Sequence, residues 1–278
     1  MTQRTVAALW PSKVATLTAE TSVKRALPRR ELRRIGPFVF CDHFGPTSAA
    51  NMDVPAHPHV GLQTVTYLFS GAIRHTDSIG SVQEIRAGDV NWMTAGRAIV
   101  HAEEASQESG PLHGIQTWVG LPHAHRKTDP DFRHIPASSL PVIEREGATV
   151  RLLAGRLGEA TAPTPTFQPL TYADIQLHPG ASITLAVDPE QQLGLYVAAG
   201  DMNMSGTAIP AGVLAQLSTG EGELSLRSEG GGRAMLLGGA PLPEPTVIWW
   251  NFIVDSVAEG VSLRAEWTSG NFPKLPPR

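Results

Sequence analysis

Residues 62–96 read LQTVTYLFSGAIRHTDSIGSVQEIRAGDVNWMTAG, and three short pieces of this stretch recur later in the chain. Tyr67-Leu-Phe-Ser-Gly71 returns as Tyr196-Val-Ala-Ala-Gly200, Ile85-Arg-Ala-Gly88 as Ile209-Pro-Ala-Gly212, and Thr94-Ala-Gly96 as Ser218-Thr-Gly220. Gly88 and Gly96 are as far apart as Gly212 and Gly220, so this part aligns without a gap. Only the loop between the first two matches is shorter in the second copy. Strand-sized pieces between glycine turns, repeated once, predict two copies of one β-barrel. Residues 62–69 and 114–119 are rich in β-branched and aromatic side chains and read as strands. Gly71, Ser78-Ile-Gly80 and Ala87-Gly88-Asp89 mark hairpin turns between them.

The rest of the chain agrees with an all-β architecture. Its 278 residues and hydrophobic fraction of 41% suffice for two domains of ordinary size. The 27 glycines and 23 prolines punctuate many short segments, and no heptad or long 3.6-residue period runs through them. The expected domains are residues 1–135 and 136–278, with Ile135-Pro136 to Leu140-Pro141 as linker. Residues 256–269 read as a short C-terminal helix before Pro273, Pro276 and Pro277 end regular structure.

Composition also excludes several function classes. Net charge is −4 and the sequence pI about 6.2, which argues against direct nucleic-acid binding through a basic footprint. The basic run Lys24, Arg25, Arg29, Arg30, Arg33 and Arg34 reads as a solvated edge. Cys41 is the single cysteine, so no intramolecular disulfide forms. Its apolar surroundings, FVFCDHF, suggest a buried, inert thiol. The start MTQRTVAALWPSK lacks the apolar core of a signal peptide. No apolar run approaches the ~20 residues of a membrane span. No membrane association and a cytoplasmic location are therefore expected.

Nine of the ten histidines lie at or before His134, so imidazole chemistry belongs to the first half. Two triplets there carry it: His57-Pro58-His59 and His101-Ala102-Glu103. Residues i and i+2 of a strand share a face, so each triplet projects two donors one way. Strands on facing walls of a barrel would bring three imidazoles and a carboxylate onto one ion. Glu104 has the wrong parity, which favours Glu103. Such a set suits iron, manganese, cobalt, nickel, copper or zinc and leaves coordination positions open, unlike a closed structural zinc site rich in cysteine. Aligned on the glycines, His101 and Glu103 correspond to Ser225 and Arg227. Counting back from the paired tyrosines sets Ala186 and Asp188 opposite His57 and His59, so the second copy should hold no ion.

Other polar residues receive plainer readings. Asp42 and His43 are expected to fix a strand end, and His75, Asp77 and Ser78 to hydrogen-bond a hairpin turn. His113, His123, His125 and His134 follow no ligand spacing. Trp92 and Trp118 read as core, with a place at the barrel mouth open to either.

At these residues the sequence resembles the pirins, members of the bicupin group that includes bacterial quercetin 2,3-dioxygenase-like proteins. The resemblance rests on Phe38-Val-Phe-Cys-Asp42-His43-Phe44-Gly45-Pro46, His57-Pro-His59 with Thr64-Val65-Thr66-Tyr67-Leu68, and Gly71 through His75-x-Asp77-Ser78-x-Gly80. It continues through Gly88-Asp89-Val-Asn-Trp92-Met93-Thr94-Ala95-Gly96, His101-x-Glu103, Trp118-Val-Gly-Leu121-Pro122, Pro241-Leu-x-Glu244-Pro245 and Trp249-Trp250-Asn251-Phe252. It implies two cupin (jelly-roll) domains and one metal, most often Fe(II), on His57, His59, His101 and Glu103. In the general cupin pattern the carboxylate follows the first histidine pair. Here Val60-Gly61-Leu62-Gln63-Thr64 holds no acid, and pirins likewise take their glutamate from the second motif.

Two functions follow from the resemblance. One is a metal-dependent dioxygenase that cleaves a flavonol such as quercetin, or a related phenolic, with dioxygen and releases carbon monoxide. There Glu103 would act as the base for the flavonol 3-hydroxyl. The alternative is a non-enzymatic iron-binding regulator that acts through protein partners.

Overall fold

The computed structural model describes residues 3–17, 21–47, 53–106, 110–243 and 246–277. Glu244 and Pro245, part of the resemblance above, lie outside the described residues. The chain forms two compact units, each discontinuous in sequence. One comprises residues 14–23, 39–137 and 242–278; the other comprises 1–13, 24–38 and 138–241. The main change of unit follows residue 137, and the terminal segments do not follow a single cut.

In the unit that contains the histidine triplets, a four-stranded sheet runs Val54–His59, Ile99–Ala105, Ala72–Asp77, Val82–Arg86. Along a seven-stranded sheet lie Asp131–Ile135, Val90–Thr94, Leu62–Ser70, Leu112–Gly120 and Phe38–Thr47, in that order. These two sheets form the jelly roll expected of a cupin-type β-barrel domain, as open sheets and not a closed cylinder. The reason is local. Leu62–Ser70 belongs to the larger sheet and Ala72–Asp77 to the smaller, so the chain steps between sheets at Gly71 instead of continuing round one cylinder. Gly71 makes that step at φ +84°, a conformation open to glycine without strain. The strands expected at 62–69 and 114–119 extend over Leu62–Ser70 and Leu112–Gly120.

Between the sheets, Phe44, Leu68, Ile73, Ile85 and Leu112 pack into a buried cluster. A second cluster joins Val39 and Leu62 to Leu242 and Ile253 of the C-terminal segment. That segment enters the unit beside the first histidine strand, where the Ile253 N–H donates to the Val60 carbonyl at 2.9 Å. It ends in the expected helix, α1, over Val257–Thr268. Ser256 caps it by accepting from the Glu259 N–H.

The other unit is built on an 11-stranded sheet and a core of Leu152, Ile175, Leu195, Val197, Leu224 and Leu236. Among the described residues no helix is long and apolar enough to cross a membrane.

Candidate metal centre

The two triplets lie on neighbouring, hydrogen-bonded strands, not on facing walls. Val54–His59 and Ile99–Ala105 pair antiparallel with His57 directly opposite His101 and His59 opposite Ile99. Directly paired side chains share a sheet face, so adjacency does what opposition was expected to do. The ring centroids of His57 and His101 are 4.4 Å apart, those of His57 and His59 4.9 Å, and those of His59 and His101 5.1 Å. One nitrogen from each of the three lies within 4.8 Å of the others. On the other side Ile99–Ala105 pairs with Ala72–Asp77, with Asp77 opposite His101 and His75 opposite Glu103. His75, His101 and Glu103 form a second group within the same limit.

His59 is fully buried, and His101, Glu103 and His75 nearly so, while His57 is half-buried. The His57 Nδ1–H donates to the Pro55 carbonyl at 2.9 Å, and the His59 Nδ1–H to the Asn251 carbonyl at 3.2 Å. Each therefore presents an unprotonated Nε2. The Nε2 atoms of His59 and His101 are buried with no hydrogen-bond partner. Orphaned buried polar atoms are costly, and a metal ion in their midst would satisfy both. Burial pushes the His59 imidazole well below its ordinary pKa, with His57 adding to the shift and the Asn251 carbonyl opposing it. Burial and the neighbouring imidazoles push His101 the same way. His57 is also lowered by burial, against the pull of the Pro55 carbonyl and Glu103. Neutral imidazoles beside a carboxylate are the state in which a divalent transition metal binds. This histidine–glutamate cluster can hold such an ion.

Glu103 accepts a hydrogen bond from the Thr66 hydroxyl at 2.8 Å through Oε1. Together with His57 it borders a cavity of about 70 Å³, whose other walls include Phe40, Trp118, Asp42 and Gln116. Phe40 and Trp118 stack with centroids 4.0 Å apart, and Trp118 meets the edge of His59 at 4.9 Å. Trp118 is thus part of the site wall, whereas Trp92 is buried in the core.

Several of the plainer readings change. Asp42 and His43 sit inside the long strand Phe38–Thr47 rather than at its end. Asp42 faces the cavity, and the alternate residue His43 meets His113, Nε2 to Nε2, at 2.7 Å. Asp77 does hold its turn, accepting from the N–H groups of Ile79 and Ser81 at 3.1 and 2.9 Å. His75 instead lies against His101, with Nδ1 to Nδ1 at 3.4 Å. The signal for it was present: His75-x-Asp77 has the same period of two as His101-x-Glu103. Asn251 had none, because its contribution is a backbone carbonyl. The Trp249–Phe252 turn, with Trp250 at φ +51°, delivers that carbonyl. Cys41 is buried, and burial pushes its thiol far up, as an inert cysteine requires.

The second unit carries its own version of the paired strands. Ser182–Ala186 pairs with Glu223–Arg227, with Thr184 opposite Ser225 and Ala186 opposite Glu223. By this register the partners of His57 and His59 are Thr184 and Ala186, two residues earlier than counting from the tyrosines suggests. The chain takes five residues to reach the next strand after Ala186 but only two after His59. No imidazole results either way. Thr184 and Ser225 hydrogen-bond to each other at 2.8 Å, and Arg227 pairs with Glu229 at 2.9 Å. A larger cavity of about 1040 Å³ in this unit, beside Arg156, Glu159 and Asp188, has no histidine in its walls.

Comparison with known proteins agrees with this architecture. The Pirin family model matches residues 20–119, and the Pirin C-terminal cupin domain model matches residues 172–273. A Pseudomonas aeruginosa protein bearing the name "Putative quercetin 2,3-dioxygenase" is 37% identical over 263 residues, 94% of this chain and 83% of that protein. A pirin-like protein of Caulobacter vibrioides is 38% identical over 264 residues, covering 91% of this chain and 90% of the relative. The crystal structure of a quercetin 2,3-dioxygenase from Acinetobacter baumannii superposes with a TM-score of 0.92 at 35% identity, over 98% of this chain and 92% of that one. Family models over both halves, and relatives this similar over nearly the whole length, establish that the chain belongs to the pirin family.

Proposed function

We propose that this pirin is a metal-dependent dioxygenase of the quercetin 2,3-dioxygenase type, with one divalent ion, in first place Fe(II), on His57, His59, His101 and Glu103. The observation that carries the reading is the convergence of three neutral imidazoles, two with orphaned Nε2 atoms, beside a carboxylate that borders an apolar cavity. The names borne by the P. aeruginosa and A. baumannii relatives support the substrate class. When bound, the ion supplies a Lewis acid that acidifies an enolic hydroxyl. The chain's own residues supply the rest. Glu103 keeps Oε2 free of Thr66 and can take the proton of a flavonol 3-hydroxyl. Phe40 and Trp118, stacked on each other, line the cavity with apolar surface against which an aromatic ring can pack.

At about 70 Å³ the cavity is far below the ~300–1,000 Å³ of ordinary ligand pockets. A flavonol would therefore present only its 3-hydroxyl and 4-carbonyl edge to the site. The same tightness is the observation in favour of the second reading, an iron-binding regulator that works through protein partners and turns nothing over. Aerobic incubation of Fe(II)-loaded protein with quercetin, following flavonol loss and carbon monoxide, separates the two. The proposal expects catalytic turnover that disappears on chelation. Loaded protein without turnover would transfer the lead to the regulatory reading. In both readings the protein works in the cytoplasm.

A further inference from the structure

Each candidate ligand must expose one lone pair to the ion, and a neutral imidazole does so only if its other nitrogen keeps the proton. His57 and His59 donate that proton to backbone carbonyls. For His101 the Nδ1 neighbour is another imidazole, His75 Nδ1 at 3.4 Å. An imidazole can accept there only if its own proton sits on Nε2. The next contact secures that: His75 Nε2 lies 3.0 Å from Asp77 Oδ2, and a carboxylate only accepts. Asp77 is itself aimed by the N–H groups of Ile79 and Ser81, both donating to Oδ1. His75 is almost fully buried and stacks on Phe132 with centroids 4.4 Å apart and planes 16° from parallel. A rigid line thus runs from the hairpin turn through Asp77 and His75 to His101.

We propose that His75 is a positioning residue: held by Asp77, it accepts the His101 Nδ1–H and thereby fixes His101 in the tautomer whose Nε2 faces the ion. This role rests on the reading of His101 as a ligand. His75 comes near enough to Glu103 to join a metal group itself. However, Asp77 and His101 occupy both of its nitrogens, so it has no lone pair left for coordination. Partners of this kind around metal-bound histidines typically change affinity by about 10–100-fold.

Asp77→Asn provides the sharpest test, because it keeps the size and reverses one dipole. The turn N–H groups require the amide oxygen to face them, which turns the NH₂ toward His75. His75 must then accept at Nε2 and carry its proton on Nδ1, and His101 must respond by accepting at Nδ1 and protonating Nε2. Nitrogen-15 spectra of the metal-free protein at neutral pH read the tautomer of each ring directly. The wild type should show His101 as Nδ1–H and His75 as Nε2–H, and Asp77→Asn should reverse both. Titration with Co(II), followed by its visible absorption, should show about 10–100-fold weaker binding to the variant. His75→Phe keeps a ring against Phe132 but removes the acceptor, and should weaken Co(II) binding by a similar factor.

A wild-type His101 carrying its proton on Nε2 would overturn the proposal. So would variants that fold, judged by their amide spectra, and bind Co(II) within twofold of wild type. If Asp77→Asn does not fold, the wild-type tautomers and His75→Phe decide on the same criteria. A wild type that binds no Co(II) while His101 keeps Nδ1–H would instead remove the metal reading, and this role with it.

Discussion

Acidifying the metal-free protein should cost it stability in a window set by its buried imidazoles. His59 and His101 are essentially inaccessible and stay neutral in the fold, because burial pushes both well below the ordinary histidine pKa. In the unfolded chain they titrate near 6.5. Between pH 7.5 and 5.5 the unfolded state takes up protons that the native state refuses, so the native state loses ground as pH falls. Each such histidine contributes at most RT ln 10 over that interval, about 1.4 kcal/mol, and the pair therefore at most about 3 kcal/mol. His57, also lowered by burial, adds in the same direction. Asp77 does not interfere: burial raises its carboxyl, but bonds from His75 and Ser81 hold it below the ordinary carboxylate value. Its stabilisation is lost only as pH falls below this window. Urea unfolding of chelator-treated protein at pH 7.5, 6.5 and 5.5 measures the effect. A double variant with His59 and His101 replaced by leucine is the control, and should lose far less between the same pH values. A wild-type loss under about 1 kcal/mol, or an equal loss in the double variant, would refute the claim that these rings are held neutral.

Further expectations concern individual residues. Glu103→Gln keeps the Thr66 contact and one coordinating oxygen but loses basicity. At equal metal occupancy its flavonol turnover should fall by about 10²–10⁴-fold, and an unchanged rate would leave Glu103 a ligand only. His57→Ala or His101→Ala should lose most of its metal in elemental analysis while circular dichroism stays native, since the core clusters do not pass through those rings. Unfolding of both at room temperature would mean that the ion is structural. Gly61→Ala, just after the first histidine pair, would place Cβ 2.1 Å from the Ile253 carbonyl oxygen at φ +72°. It should lower unfolding stability by about 2 kcal/mol or more, and a neutral result would show that the backbone yields there.

Strand parity makes much of the candidate site legible in the sequence. Because side chains alternate, His57-x-His59 and His101-x-Glu103 had to project in pairs, and they do. Parity says nothing about which strands are neighbours, however, so the sheet pairing that sets His57 against His101 came only from the fold. The glycine-bounded repeat correctly indicated two related all-β units. It could not indicate that the strand partners alternate between sheets at Gly71, which separates a jelly roll from a closed barrel. His75-x-Asp77 reads as turn chemistry in the sequence, and Asp77 indeed holds the turn, yet the same carboxylate also orients His75. One side chain serving two purposes leaves only the more local one visible in sequence. Backbone contributions such as the Asn251 carbonyl leave no side-chain signature at all.

The most direct test of the central claim is the metal content of the whole protein. Purified chain should be stripped with chelator, reloaded anaerobically with Fe(II), desalted and analysed for iron against protein concentration. The three imidazoles and Glu103 of one unit, against Thr184, Ala186, Ser225 and Arg227 in the other, call for a value near one ion per chain. They also call for a value near zero in a His57→Ala, His101→Ala double variant that remains folded. A wild-type value near two, a value near zero after reloading, or iron retained undiminished by the double variant would contradict the assignment.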